Sequence, residues 1–250
     1  MKFFRRPASL PIICAVLGLL GMGLRFWLLE TAVDEKGLLT SHPANIGTLL
    51  VCLLAAGAVM LVTLGRGDSK KASGMFPASI PGALSTVVAA VAMALTGVTC
   101  LRESTGYLLR IAGVAGILGG VSCLLLALCR FKGFRAHWLL RGVVCVFFMF
   151  HLLQHYQAWF SQPQLWAYIY DLLAHVALMA TAYQRLALDL GMDGRKAYIA
   201  TSQLTGVLCL LALPGSGETF FLAAMAAWMF LDAGKLRLPR AKAPATQEEG

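Results

Sequence analysis

Charged side chains make up only 13% of these 250 residues, well below the share a soluble globular domain carries. No polar stretch is long enough to fold separately, which leaves no room for a sensor with its own output domain. The G-x-x-x-x-G-K-[ST], H-E-x-x-H and G-x-S-x-G patterns are also missing. Nucleotide-driven transport within this chain and the familiar hydrolase signatures therefore have no support. Cysteine occurs seven times but never as C-x-x-C. Every cysteine lies in or beside an apolar run, which argues against a disulfide framework or a thiolate zinc site and for small hydrophobes in helix packing.

What fills the chain is apolar surface: 58% of residues are hydrophobic and the mean hydropathy is +0.73. The few polar residues cannot cover that surface, so lipid must be the solvent for much of it. A membrane span needs about 20 largely apolar residues. Eight runs qualify, roughly 9–29, 45–64, 79–100, 108–129, 137–159, 165–187, 197–213 and 218–233. The last two are short. The turn between them, Pro214-Gly215-Ser216-Gly217-Glu218, decides between eight spans and seven: Pro and Gly break a helix, and Ser216 can cap the next. The expected fold class is an all-α polytopic transmembrane helix bundle of about eight spans, with seven as the fallback. It would form one domain over 1–237, followed by a disordered tail over 238–250 rich in Ala, Pro, Gln and Glu. Met1 to Arg6 and the run behind them imitate a signal peptide, but no small-x-small cleavage site follows, so the first span is read as uncleaved.

The net charge of +9 would suit nucleic acid, yet the basic residues are arranged as a membrane protein arranges them. With the N-terminus inside, the inner segments carry Lys2, Arg5, Arg6; Arg66, Lys70, Lys71; Arg130, Lys132, Arg135; Arg195, Lys196; and Lys235, Arg237, Arg240, Lys242. The outer loops carry Lys36 and Arg102 against Glu30, Asp34, Glu35, Glu103 and Glu218. This alternation follows the positive-inside rule. It places the chain in the cell membrane with both termini cytoplasmic, the bilayer and anionic lipid headgroups as partners, and no nucleic acid. The loop from Glu30 to Pro43 reads as a short cap on the outer side, with His42 solvated. Trp138, Trp159 and Trp166 fall at span boundaries, where amphipathic rings favour the headgroup layer. Ala112, Gly116 and Gly120 in span four, and Ala223 and Ala227 in span eight, form small-x-x-x-small faces, read first as packing within the chain and second as a dimer contact. The oligomeric state is left open.

The chemistry collects in one hairpin, Cys145 to Tyr183. His151 and His155 stand four residues apart in span five, Asp171 and His175 four apart in span six, so each pair shares a helix face. At 1.5 Å per residue all four lie roughly 7–15 Å below the outer surface, where ionisable groups are tolerated only facing the bundle interior or water. Gln154, Tyr156, Tyr168 and Tyr170 add hydrogen-bonding capacity, and Arg25 or Arg110 would supply counter-charge to Asp171. The leading functional reading is a carrier or channel for a small solute, ion or proton, with His151, His155, Asp171, His175, Arg25 and Tyr168 as the substrate or proton site. The second is an intramembrane zinc hydrolase with His151, His155 and His175 as ligands and Asp171 as ligand or orienting partner. A third is haem held between His155 and His175 or between His151 and His175. The last is a structural or partner-binding subunit in which the cluster only joins helices. No cofactor is established by these patterns. An H-x-x-x-H pair with a third histidine and an aspartate is also found in the seven-span ceramidase-like membrane hydrolases. Here the four residues sit on two consecutive spans and that superfamily's serine motif is missing, so kinship is not claimed. Arg141 is expected to snorkel to the inner interface, Asp232 to be neutralised by Lys235, and Gln203 and Thr205 to bond between helices.

Overall fold

Eight α-helices occupy the described residues: α1 Ser9–Thr31, α2 Pro43–Leu64, α3 Ile80–Arg102, α4 Tyr107–Lys132, α5 Trp138–Phe160, α6 Leu165–Asp189, α7 Arg195–Ala212 and α8 Thr219–Gly234. The structure is a computed structural model and describes residues 9–31, 43–64, 79–103, 106–134, 136–160, 165–192 and 194–234. The proposed outer cap, most of the basic inner segments and the tail fall outside these residues. So do the side chains of Trp159 and Trp166.

The helices end where backbone chemistry makes them end. Gly133 at φ 73° closes α4, and the Phe134 N–H reaches back to the Cys129 carbonyl at 2.9 Å. That six-to-one bond with glycine in the left-handed region is the Schellman stop. Gly191, at φ 87°, does the same for α6, with the Met192 N–H on the Ala187 carbonyl at 3.0 Å. A proline at the start of α3 sits where its missing N–H costs nothing.

Five helices, α1 to α5, are long and apolar enough to cross a membrane. Their outward faces carry large apolar side chains, among them Leu19, Leu20, Leu53, Leu54, Leu61, Leu118 and Leu128. Continuous exposure of that kind suits a bilayer and would aggregate in water. One buried apolar core draws side chains from all eight helices.

Two packing features position the site. Helices α3 and α4 touch backbone to backbone: a Cβ on Gly97 would come within 2.7 Å of the Gly113 carbonyl, and one on Gly116 within 2.7 Å of the Gly97 Cα. The small-residue ladder of α4 is thus filled by α3, as the intramolecular reading expects. For α8 that reading does not hold, because Ala223 and Ala227 face outward. The rest of α8 is buried, with Phe221, Leu222, Met225 and Met229 in the core, and it packs against α7, α3 and α1. Its 16 residues span only about 24 Å against about 35 Å for the 23 of α5. The turn that opens α8 is therefore sunk into the bundle instead of standing above it.

Candidate metal centre at the α5–α6 end

The two histidine faces meet. The ring centroids of His151 and His155 lie 4.5 Å apart, those of His151 and His175 4.9 Å, and those of His155 and His175 4.4 Å. His151 and His175 are fully enclosed and His155 is nearly so.

A fourth residue completes the group, and it is not Asp171. Glu218, read from the sequence as an acid of an outer loop, projects from the sunken turn into the three rings. Its Oε2 lies 2.9 Å from His151 Nε2 and 3.9 Å from His175 Nε2, and its Oε1 3.4 Å from His155 Nε2. One ligand atom from each of these four residues can be chosen so that all lie within 4.8 Å of one another. Glu218 is held there by the start of α8. Its carbonyl accepts the Leu222 N–H at 3.0 Å, and its own N–H donates to Ser216 Oγ at 3.1 Å. A carboxylate at a helix N-terminus also meets the positive end of the helix dipole. The facing imidazoles of His151 and His155 offset part of the cost of burying the Glu218 carboxylate. With about a quarter of its side chain exposed, Glu218 is also the most open member of the group.

Asp171 stands behind the rings. Its backbone carbonyl accepts a hydrogen bond from His175 Nδ1 at 2.8 Å, and its Oδ1 lies 3.5 Å from the same nitrogen. A carbonyl can only accept, so the neutral His175 ring carries its proton on Nδ1 and turns a bare Nε2 lone pair toward Glu218 and the other imidazoles. This is how a metal-binding histidine is oriented. Asp171 is bonded in turn by Ser216 and attracted by Arg25. Arg25 donates from Nη1 to the Leu211 carbonyl at 2.9 Å, near the C-terminus of α7, and lies over the Tyr170 ring at 4.7 Å. Tyr170 reaches Thr48 on α2 at 3.0 Å. Tyr168 is half-buried three residues before Asp171, and Arg110 is exposed at the start of α4.

An apolar floor closes the site on its inner side. Phe147 stacks on His151 at 5.3 Å, and Phe221 meets His151 at 5.0 Å and His175 at 6.0 Å. Phe147, Phe148, Phe221 and Leu178 are all almost fully buried.

Beyond that floor lies a second polar group. Asp232 pairs with Arg130 and accepts the Tyr198 hydroxyl; Lys235, the partner expected from the sequence, lies outside the described residues. Arg141 does not snorkel: it pairs with Asp189, which also has Arg185 at 3.8 Å. Thr205 bonds Thr181 across α6 and α7 at 2.8 Å, as expected. Gln203 is fully buried, and neither atom of its amide finds a partner among the described residues.

No family model matches this chain, and no curated protein or solved structure is similar to it.

Proposed function

We propose that this chain is a membrane-embedded zinc protein whose centre is formed by His151, His155, His175 and Glu218, and whose activity is metal-assisted hydrolysis within the bilayer. The observation that carries this reading is the convergence of three imidazoles and one carboxylate, with ligand atoms mutually within 4.8 Å, from three separate elements. Nitrogen and oxygen donors of this kind suit zinc, whose catalytic sites combine three protein ligands with one open position. The ring spacing of 4.4–4.9 Å leaves room for an ion and favours that over a haem macrocycle. In this reading all eight helices cross the membrane, both termini lie on the side of the basic segments, and the centre opens to the opposite side.

Bound zinc would supply Lewis acidity and a water that ionises near neutrality. The chain's own residues do the rest. His151, His155 and His175 would hold the ion, and the Asp171 carbonyl holds the His175 tautomer. Glu218, the member most open to solvent, would be the exchangeable fourth group, giving way to water at that position and accepting its proton. Phe147 and Phe221 keep the inner side dry, which strengthens every charge interaction at the centre. The substrate is an ester or amide presented at that depth, since the site sits well below the end of α5.

A carrier for an ion or proton is the second reading, favoured by the presence of polar groups on both sides of the apolar floor. That floor, packed from Phe147, Phe148, Phe221 and Leu178, separates the two groups, and a path would have to open through it.

The test is metal analysis of protein purified without a metal-affinity tag, followed by assay against ester and amide lipids. The reading expects close to one zinc per chain, lost in both His151→Ala and His175→Ala while the variants stay monodisperse. Metal-free wild-type protein that cannot be reloaded would sink it. Stoichiometric zinc without any hydrolysis, but with zinc or proton flux in vesicles, would move the assignment to the carrier.

A further inference from the structure

Ser216, in the turn between α7 and α8, bonds two of the groups that build the candidate centre. Its Oγ accepts the Glu218 N–H at 3.1 Å, and its hydroxyl donates to the Asp171 side chain. We propose that Ser216 is the positioning residue of the fourth coordination position: braced against Asp171, it sets how often Glu218 occupies that position and how often water or substrate does. This role rests on the reading of the three imidazoles and Glu218 as a metal centre.

A hydroxyl has one proton to give and lone pairs to accept with, so Ser216 serves both neighbours at once. The backbone of Glu218 is thereby pinned on both sides. Its N–H is held by Ser216, and its carbonyl accepts the Leu222 N–H at 3.0 Å in the first turn of α8. Exchange at the fourth position is then a rotation of the Glu218 side chain about a fixed backbone, toward the side where that chain is partly exposed. A tethered ligand competes with incoming ones according to how well it is preorganised. Loosening its backbone therefore favours the competitor.

The far end of the brace is fixed as well. Asp171 is almost fully buried on α6 and attracted by Arg25, and Arg25 is itself held by the Leu211 carbonyl at 2.9 Å and the Tyr170 ring at 4.7 Å. The turn is seated against α1: Gly215 has φ 90°, and a Cβ there would meet Leu29 Cδ1 at 3.0 Å. Asp171 thus serves two ligands, His175 through its carbonyl and Glu218 through its carboxylate and Ser216. Outer partners of this kind orient the groups that touch a metal.

The experiment loads the full chain, in a neutral detergent, with cobalt(II), whose visible absorption reports its coordination. Azide, a monodentate anion able to take the fourth position, is then titrated in. Ser216→Ala tightens azide binding by about three- to tenfold, the worth of one neutral hydrogen bond. Glu218→Ala, which removes the tethered competitor, sets the upper limit. Ser216→Thr keeps a hydroxyl and restores the wild-type affinity. Ser216→Gly repeats the test should Ser216→Ala not fold, in a turn that already holds Gly215 and Gly217. A serine that only stabilised the turn would lower the unfolding midpoint and leave the azide affinity where it was. One cobalt per chain with unchanged azide affinity in the Ser216 variants overturns the positioning role and leaves the metal centre standing. Wild-type protein that takes up neither cobalt nor zinc overturns both.

Discussion

Replacing Asp232 by Asn should be among the most damaging single changes in the molecule. The carboxylate is almost completely enclosed, pairs with Arg130 and accepts the Tyr198 hydroxyl. The substitution keeps the shape and removes the charge, leaving the Arg130 guanidinium, itself nine-tenths buried, facing a neutral amide. Breaking a buried ion pair from one side costs about 3–5 kcal/mol, because the remaining charge is stranded. For a chain of this size each kcal/mol shifts the midpoint by about 2–4 °C, so Asp232→Asn should unfold about 6–20 °C below wild type. Removing both charges with apolar residues of similar volume, Arg130→Met with Asp232→Leu, should recover most of that loss, since buried pairs are commonly replaceable as a unit. Thermal unfolding in one detergent, followed by tryptophan fluorescence, measures both. A midpoint for Asp232→Asn within about 2 °C of wild type would refute the reasoning. So would a double variant as unstable as the single one.

Three further outcomes follow from other parts of the structure. Gly97→Ala should destabilise by about 1–3 kcal/mol, the usual cost of overpacking, since the new methyl meets the Gly113 carbonyl at 2.7 Å; thermal unfolding of that variant checks it. Asp171→Ala should weaken zinc binding by less than the about 10–100-fold worth of an orienting group, because the backbone carbonyl that holds His175 survives; competition against a zinc chelator measures the change. Acidification should release zinc, because imidazoles bind metal only when deprotonated. Metal analysis after stepwise dialysis from neutral to acidic pH reads the loss directly, and full occupancy retained in strong acid would contradict histidine ligation.

The helices were legible in the sequence because membrane-scale apolar runs bounded by Gly, Pro and charge leave few alternatives. The run 108–129 became Tyr107–Lys132, and the run 218–233 became Thr219–Gly234. The histidine faces were legible for the same reason, since i, i+4 spacing on two antiparallel neighbours almost dictates that they meet. Glu218 was not legible as a site residue. A carboxylate beside Pro214 and Gly215 looks like any loop acid until α8 is known to be short and central, which lowers its first turn to the level of His151. The one available signal was that only 16 or so apolar residues follow it. Likewise, Arg130 and Arg195 look like inner-loop cations in the sequence, but Arg130 turns inward to Asp232 and Arg195 is buried at the start of α7. Which partner a helix-end charge finds depends on packing across α4, α7 and α8, and that is written in no local pattern.

The central claim is that three imidazoles and one carboxylate form a zinc centre, and X-ray absorption at the zinc edge tests it most directly. Zinc-loaded protein should show four nitrogen or oxygen neighbours at about 2.0–2.2 Å with the outer-shell scattering of about three imidazoles, reduced by one in His155→Ala. A sulfur shell at about 2.3 Å, or zinc with no imidazole signature, would place the metal elsewhere and contradict the account.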